Sequence, residues 1–278
     1  MKKMCYDSPM KTLVNSFPSQ IAPYEGGPLQ YPGETLFFDI ETTGFSSRSC
    51  FVYLIGCACY ENGSWQIRQF LAETPEQEEQ VLSAFLALSS HYSRVFHFNG
   101  STFDVPFLQA RCKKYRLPSP CFDRQTDLYR IVSPYKNLLH LPGCRQKQLE
   151  EYVGLRRADP FSGGDLVEVY HTYAQNGDEK LKEALLTHNR EDLAGLVQLS
   201  CLLALPALFE ENGYEIGPAA LEEGRFSLPL TLSHPLPVPL SCHAGPVWLA
   251  ARDHTALLRI LTREGTLRYF YPDYKNYS

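Results

Sequence analysis

The chain has 278 residues, 44% apolar and 21% charged, a globular balance that excludes a mainly disordered chain and suits one large domain or one with a small appendage. The longest apolar run, Leu202 to Phe209, is far too short to span a bilayer, and the segment behind Met1-Lys-Lys lacks the apolar core of a secretory signal. Lys plus Arg total 26 against 31 Asp plus Glu, and this net charge of −5 disfavours, on its face, a nucleic-acid partner.

Residues 1–34 are rich in proline and show no sustained period, which predicts an extended arm. From Thr35 the pattern changes. Leu36 to Ile40 is a short apolar run typical of a buried strand, and Phe51 to Tyr60 is a second. Asn62-Gly63 signals a hairpin, with Ser64 to Leu71 as the returning strand. Thr74-Pro75 opens a helix whose apolar stripe includes Val81, Leu82, Phe85 and Leu86. A strand over Arg94 to Phe98, a helix over Phe103 to Tyr115 and a fifth strand over Phe122 to Thr126 follow. Helices then dominate from Gln146 to about Leu205, where Pro206 ends the run. This succession predicts an α/β domain over 35–209.

Residues 210–278 shift again, with six prolines between Pro218 and Pro246. Short strands are expected at Val247 to Ala251, Ala256 to Leu261 and Thr266 to Tyr271, forming a small β-rich extension. Nine cysteines are scattered with no C-x-x-C pair, which suits reduced thiols in a cytoplasmic protein better than a disulfide framework or a zinc ribbon.

Three places carry acids in settings that suit either chemistry or plain structure. The first strand ends Phe38-Asp39-Ile40-Glu41-Thr42, and side chains two apart share a face. Two carboxylates at the end of an apolar strand repel each other and are poorly solvated, a cost that a hard divalent cation relieves. The alternative is a strand that simply ends in solvent. Asp104 follows the next strand, in the first turn of a helix, where an acid also serves the helix start alone. His188 and Asp192 are four apart within the apolar stripe Leu181, Leu185, Leu196, Leu199. An imidazole and an acid there need partners, as a metal ligand with a proton-accepting or water-positioning group, or as a buried His–Asp pair.

Asp39-x-Glu41, Asn99-x-x-x-Phe103-Asp104 and His188-x-x-x-Asp192, in this order, resemble the DEDD exonuclease superfamily. Phe38 to Gly44, Phe98 to Asp104, Leu141-Pro-x-Cys-Arg145, Leu149-Glu-x-Tyr-Val-Gly154 and His188-Asn-Arg-x-Asp192 are similar to the bacterial YprB-like group of ribonuclease-H-like proteins. The resemblance covers roughly residues 35–205. It implies a ribonuclease-H-like mixed five-stranded sheet flanked by helices. It also implies 3′–5′ exonucleolytic hydrolysis of phosphodiester bonds by two Mg²⁺ or Mn²⁺ ions held by Asp39, Glu41, Asp104 and Asp192. One departure stands out. The superfamily places Tyr four residues before the last Asp, or His five before it, whereas here His188 holds the four-before position. A water-orienting role and a general-base role are both open to it.

Substrate contacts are expected from Thr42 and Asn99, which flank the acids. Others are expected from a basic cluster of Arg111, Lys113, Lys114 and Arg116 and from a second of Arg145, Lys147, Arg156 and Arg157. Either cluster alone equally fits a solvated helix face. The C-terminal Arg268 to Tyr277 interleaves aromatic and basic residues, as base-stacking surfaces and aromatic edge strands both do. Two other functions fit part of the pattern: a non-catalytic module that binds nucleic acid or protein, and a phosphatase with an Asp nucleophile. The partner expected is a single-stranded nucleic-acid end, with no membrane. The negative net charge is compatible with this, since two divalent ions would make the loaded protein nearly neutral.

Overall fold

The apolar run before the first acids becomes β2 (Thr35–Thr42), buried along almost its whole length because helices cover both of its faces. The structure, a computed structural model, describes residues 11–17, 31–120, 122, 124–157, 160–161, 163–263 and 265. β2 pairs antiparallel with β3 (Val52–Glu61), and β3 with β4 (Ser64–Leu71). Asn62 and Gly63 both take positive φ, the conformation that a tight hairpin needs. On its other side β2 pairs parallel with β5 (Arg94–His97), and β5 with β6 (Gln125–Asp127).

The sheet has six strands, one more than expected. Lys11–Phe17, inside the segment read as an extended arm, is β1 and pairs antiparallel with β4. The order is β1-β4-β3-β2-β5-β6. An edge strand draws its hydrogen bonds from the free edge of its neighbour, so it needs little sequence signal of its own.

Alternation along β2 sorts its side chains. Leu36, Phe38 and Ile40 pack with α1 (Glu78–Ser89) and α2 (Asp104–Tyr115). Phe37, Asp39 and Glu41 point to the other face, where α5 (Gly163–Asn176) and α6 (Glu179–Leu199) lie. There Tyr53 of β3 stacks on Tyr170 of α5, with ring centroids 4.0 Å apart. Asp178 caps α6, its Oδ1 accepting the Lys180 N–H at 2.8 Å. Gly56 of β3 lets α6 approach closely, because a Cβ there would fall 2.0 Å from Asn189 Oδ1. The helix expected to open at Thr74-Pro75 begins as a single 3₁₀ turn, Pro75–Gln77, which leads into α1 with no side-chain cap from Thr74. Short helices α3 (Leu128–Val132), α4 (Gln146–Tyr152) and α7 (Ala204–Ala207) complete the layer.

A separate antiparallel sheet follows, made of β7 (Tyr214–Ile216), β8 (Ala220–Glu222), β9 (Arg225–Ala244) and β10 (Val247–Leu261). β9 runs for 20 residues through a proline-rich stretch that sequence patterning marks as broken. Pro229, Pro235, Pro237 and Pro239 fall within it, and its register against β10 slips between Thr231 and Leu236, inside this proline-rich stretch. The two short strands expected at 247–251 and 256–261 are one strand, β10, with register irregularities between Ala251 and Thr255. Leu230, Leu232, Leu236 and Leu240 join the core built by the end of α6 and the turns after it. The strand expected at Thr266 to Tyr271, and the aromatic and basic segment to Tyr277, lie outside the described residues.

Candidate active site

Asp39 and Glu41 leave β2 on the face that α6 covers, at the end of a strand flanked by one antiparallel and one parallel neighbour. α6 then delivers two contacts to these acids and sets its own Asp192 beside them. Asn189 Nδ2 donates to Asp39 Oδ2 at 2.9 Å. His188 Nε2 stands 3.8 Å from Glu41 Oε1 and 3.1 Å from Asp192 Oδ2. Among the described residues, Glu41, His188 and Asp192 form a group whose ligand atoms all lie within 4.8 Å of one another. Asn189 is itself held, its Oδ1 accepting from Gln69 Nε2 at 2.9 Å.

Asp104 opens α2 and reaches the same strand from the other layer. Its Oδ1 accepts the Ile40 N–H at 3.3 Å, and the residue is 6% exposed. Burial pushes its carboxyl up to about 7, against the backbone hydrogen bonds from itself and Ile40, and Asp127 and Asp192 add to the rise. Burial likewise holds Asp39 well above the usual carboxylate range, with the charges of Asp192 and Asp104 next in effect. Asp192 goes the other way. Burial would raise it, but the hydrogen bond from His188 and the charge of Arg157 hold it below the usual value. Buried acids that also face one another favour a neighbouring cation when ionised. Carboxylate oxygens and one imidazole suit a hard divalent ion, so the residues present fit Mg²⁺ or Mn²⁺.

Asp39, Glu41, Thr42, His188 and Asp192 line one cleft of about 480 Å³. Arg145 and Lys147, from the second basic cluster, stand on its wall. Arg156 and Arg157 line an adjoining cavity of about 600 Å³ that shares Lys147. Thr42 Oγ1 donates to the Gly44 carbonyl at 2.9 Å. The other expected substrate contacts are not on the cleft wall. Asn99 takes a left-handed conformation and gives its N–H to Asp127 Oδ1 at 2.8 Å. Arg111 needs correction as a phosphate contact, since it is 3% exposed and forks onto Glu78 at 2.6 and 2.7 Å. An Arg–carboxylate pair sealed in the core has no donors aimed at solvent. Lys114 is exposed but sits ten residues along α2 from Asp104, about 15 Å of helix rise away.

The structure adds residues that spacing does not reveal. Phe45 is 87% exposed at the cleft rim and meets Phe103 edge-on, with centroids 6.2 Å apart. Asn189, adjacent to His188, orients Asp39. Arg157, in the loop after α4, reaches Asp192 and is itself held by Glu150 of α4. The first is an exposed aromatic next to an acidic motif, a signal open to inspection. Asn189 and Glu150 lie inside two of the motifs and Arg157 in the second basic cluster, but their contacts depend on how helices cross, and Arg157, read as a substrate contact, is spent on Glu150 and Asp192.

A family model described as the RNase_H superfamily matches residues 36–204. No curated protein matches the chain. Among solved structures, the chain is similar to the family B DNA polymerase from the archaeon Pyrobaculum calidifontis, at 16% identity and a TM-score of 0.49, over 71% of this chain and 34% of that one. It is also similar to the zinc-bound E. coli ExoI–ssDNA complex, at 14% identity and a TM-score of 0.36, over 70% and 53%. For E. coli exonuclease I with a dT13 oligonucleotide the values are 15% and 0.37, over 70% and 54%. The chain spans about a third of the polymerase and about half of each exonuclease chain.

Proposed function

Because the chain belongs to the RNase H superfamily, we propose that it is a metal-dependent nuclease that hydrolyses phosphodiester bonds. In finer terms, we propose a 3′–5′ exonuclease that acts on a single-stranded nucleic-acid end with two Mg²⁺ or Mn²⁺ ions. The observation that carries this proposal is the gathering of Asp39, Glu41 and Asp192 in one cleft at the end of β2, with Asp104 bound to Ile40 of the same strand and near enough to raise Asp39. These four carboxylates would hold the ions. When bound, the ions activate a water and offset the charge of the reacting phosphate.

The chain's own groups supply the rest. His188 Nε2 lines the cleft and is oriented by Asp192, so it is placed to align the attacking water or take its proton. Arg145 and Lys147 put positive charge on the wall of the same cleft, where they would meet backbone phosphates. Phe45 offers an exposed ring on which a terminal base stacks. Thr42 closes the cleft floor beside Glu41. Seven free thiols among the described residues accord with a cytoplasmic location. No helix among the described residues is long and apolar enough to cross a membrane.

The deciding test is Asp39→Ala against wild type in Mn²⁺, on single- and double-stranded DNA and RNA labelled at either end. Wild type is expected to shorten single strands from the 3′ end, and the variant to leave them intact. Cleavage by the variant at the wild-type rate refutes the mechanism. Removal from the 5′ end refutes the polarity.

A further inference from the structure

Each of the three guanidinium nitrogens of Arg157 has a carboxylate partner. Its Nε and Nη2 reach the two oxygens of Glu150, and its Nη1 reaches Asp192 Oδ1. The Arg157 side chain is 9% exposed and that of Glu150 is 2% exposed. Two further features build a seat for this pair. Gln146 Nε2 donates to Glu150 Oε1 at 3.0 Å and to the Asp192 main-chain carbonyl at 2.7 Å. Gly195, one turn after Asp192 on α6, leaves the space that Glu150 fills, since a Cβ there would lie 1.9 Å from Glu150 Oε1. α4, the loop after it and α6 therefore meet at one carboxylate.

Asp192 is held from both sides, Oδ1 by Arg157 and Oδ2 by His188. A carboxylate has about four lone-pair positions, so two stay open for an ion. One guanidinium between two carboxylates leaves a net negative charge, so the pair does not repel a cation outright. Resting on the metal-site proposal above, we infer that Arg157, anchored on Glu150, is a positioning residue that sets the Asp192 carboxylate for metal binding. The planar fork is what the role requires. A lysine at 157 would keep the charge but has one point of attachment and does not serve oxygens of two residues in fixed geometry. Partners of metal ligands characteristically set affinity in this way, by about ten- to a hundredfold.

The test uses the full chain as wild type, Arg157→Lys and Arg157→Met, each titrated with Mn²⁺ alone by calorimetry and melted without metal. Turnover of a labelled single-stranded oligonucleotide is then split into kcat and KM. Both variants are expected to bind Mn²⁺ at least about tenfold more weakly. Their kcat is expected to fall while the oligonucleotide KM stays within about twofold, because phosphate and base contacts are untouched. Folded variants that bind Mn²⁺ like wild type overturn the inference. So does full rescue by Arg157→Lys, which makes the role one of charge alone. If both substitutions unfold the chain, Gly195→Ala decides, because it displaces the Glu150 carboxylate with every charge kept. Weaker Mn²⁺ binding in Gly195→Ala supports the inference, and wild-type binding overturns it. A wild type that binds no Mn²⁺ removes the nuclease proposal and this inference together, whereas unchanged variants beside a binding wild type remove only the inference.

Discussion

Asp104→Asn is expected to make the metal-free protein more stable and the metal-loaded protein less so. Asn keeps the size of the side chain and an oxygen for the Ile40 N–H, but removes the charge. Burial pushes the Asp104 carboxyl up to about 7 in the folded chain, from an ordinary value of 3.8. A group with its folded pKa raised holds its proton longer in the native state. Between about pH 4 and pH 7 the native chain thus binds more protons than the unfolded one, and stability falls as pH rises. Each pH unit of that gap is worth about 1.4 kcal/mol, so the full gap costs wild type at most about 4 kcal/mol at pH 8. Local relaxation leaves a gain of about 1 to 4 kcal/mol for the variant in chelator, or several degrees in Tm for a chain of this size. At pH 4 the two proteins should melt together. Mn²⁺ should then reverse the order. An ion at a hundred times its dissociation constant stabilises by about 2.7 kcal/mol per site, and the variant lacks one of the proposed ligands. Scanning calorimetry at pH 4 and pH 8, in EDTA and in Mn²⁺, reads all four states. An Asp104→Asn chain that melts below wild type in EDTA at pH 8, or that gains the same Mn²⁺ shift, refutes the reasoning.

Three more outcomes follow from the site. His188→Ala should lower kcat by about 10²- to 10⁴-fold while keeping the wild-type number of bound Mn²⁺ ions, and loss of an ion in calorimetry would make His188 a ligand instead. Phe45→Ala should weaken single-stranded oligonucleotide binding by about 1 to 3 kcal/mol with Tm unchanged, as an 87% exposed ring carries little of the core; anisotropy titration measures it. Gly56→Ala forces Asn189 away from β3 and from Asp39, and should cost about 1 to 3 kcal/mol in urea unfolding. A neutral result there would mean that α6 shifts without loss.

Local pattern was enough for the strands and helices that bury one face or both. Ser64–Leu71 begins and ends where hairpin chemistry places it, and the β2 acids share a face because strand geometry has a period of two. It failed where a neighbour supplies what the segment lacks. β1 exists because β4 has a free edge, and β9 carries its prolines because β10 pairs along it on one side and β7 and β8 pair on the other. Arg111 shows the same limit at the site. Four basic residues at a helix end look alike in sequence, yet the turn of α2 aims this one at a buried glutamate.

The sequence by itself determined the identity and order of the acids, their pairing on β2 and the i, i+4 placement of His188 and Asp192, because these rest on periods of two and 3.6 within single elements. Only the tertiary structure decided which groups surround those acids. Asn189 on Asp39, Ile40 on Asp104 and Arg157 on Asp192 are contacts between elements far apart in the chain. They are set by how closely helices pack on the sheet, at glycines such as Gly56 and Gly195, and that packing is a property of the whole core and of no single segment.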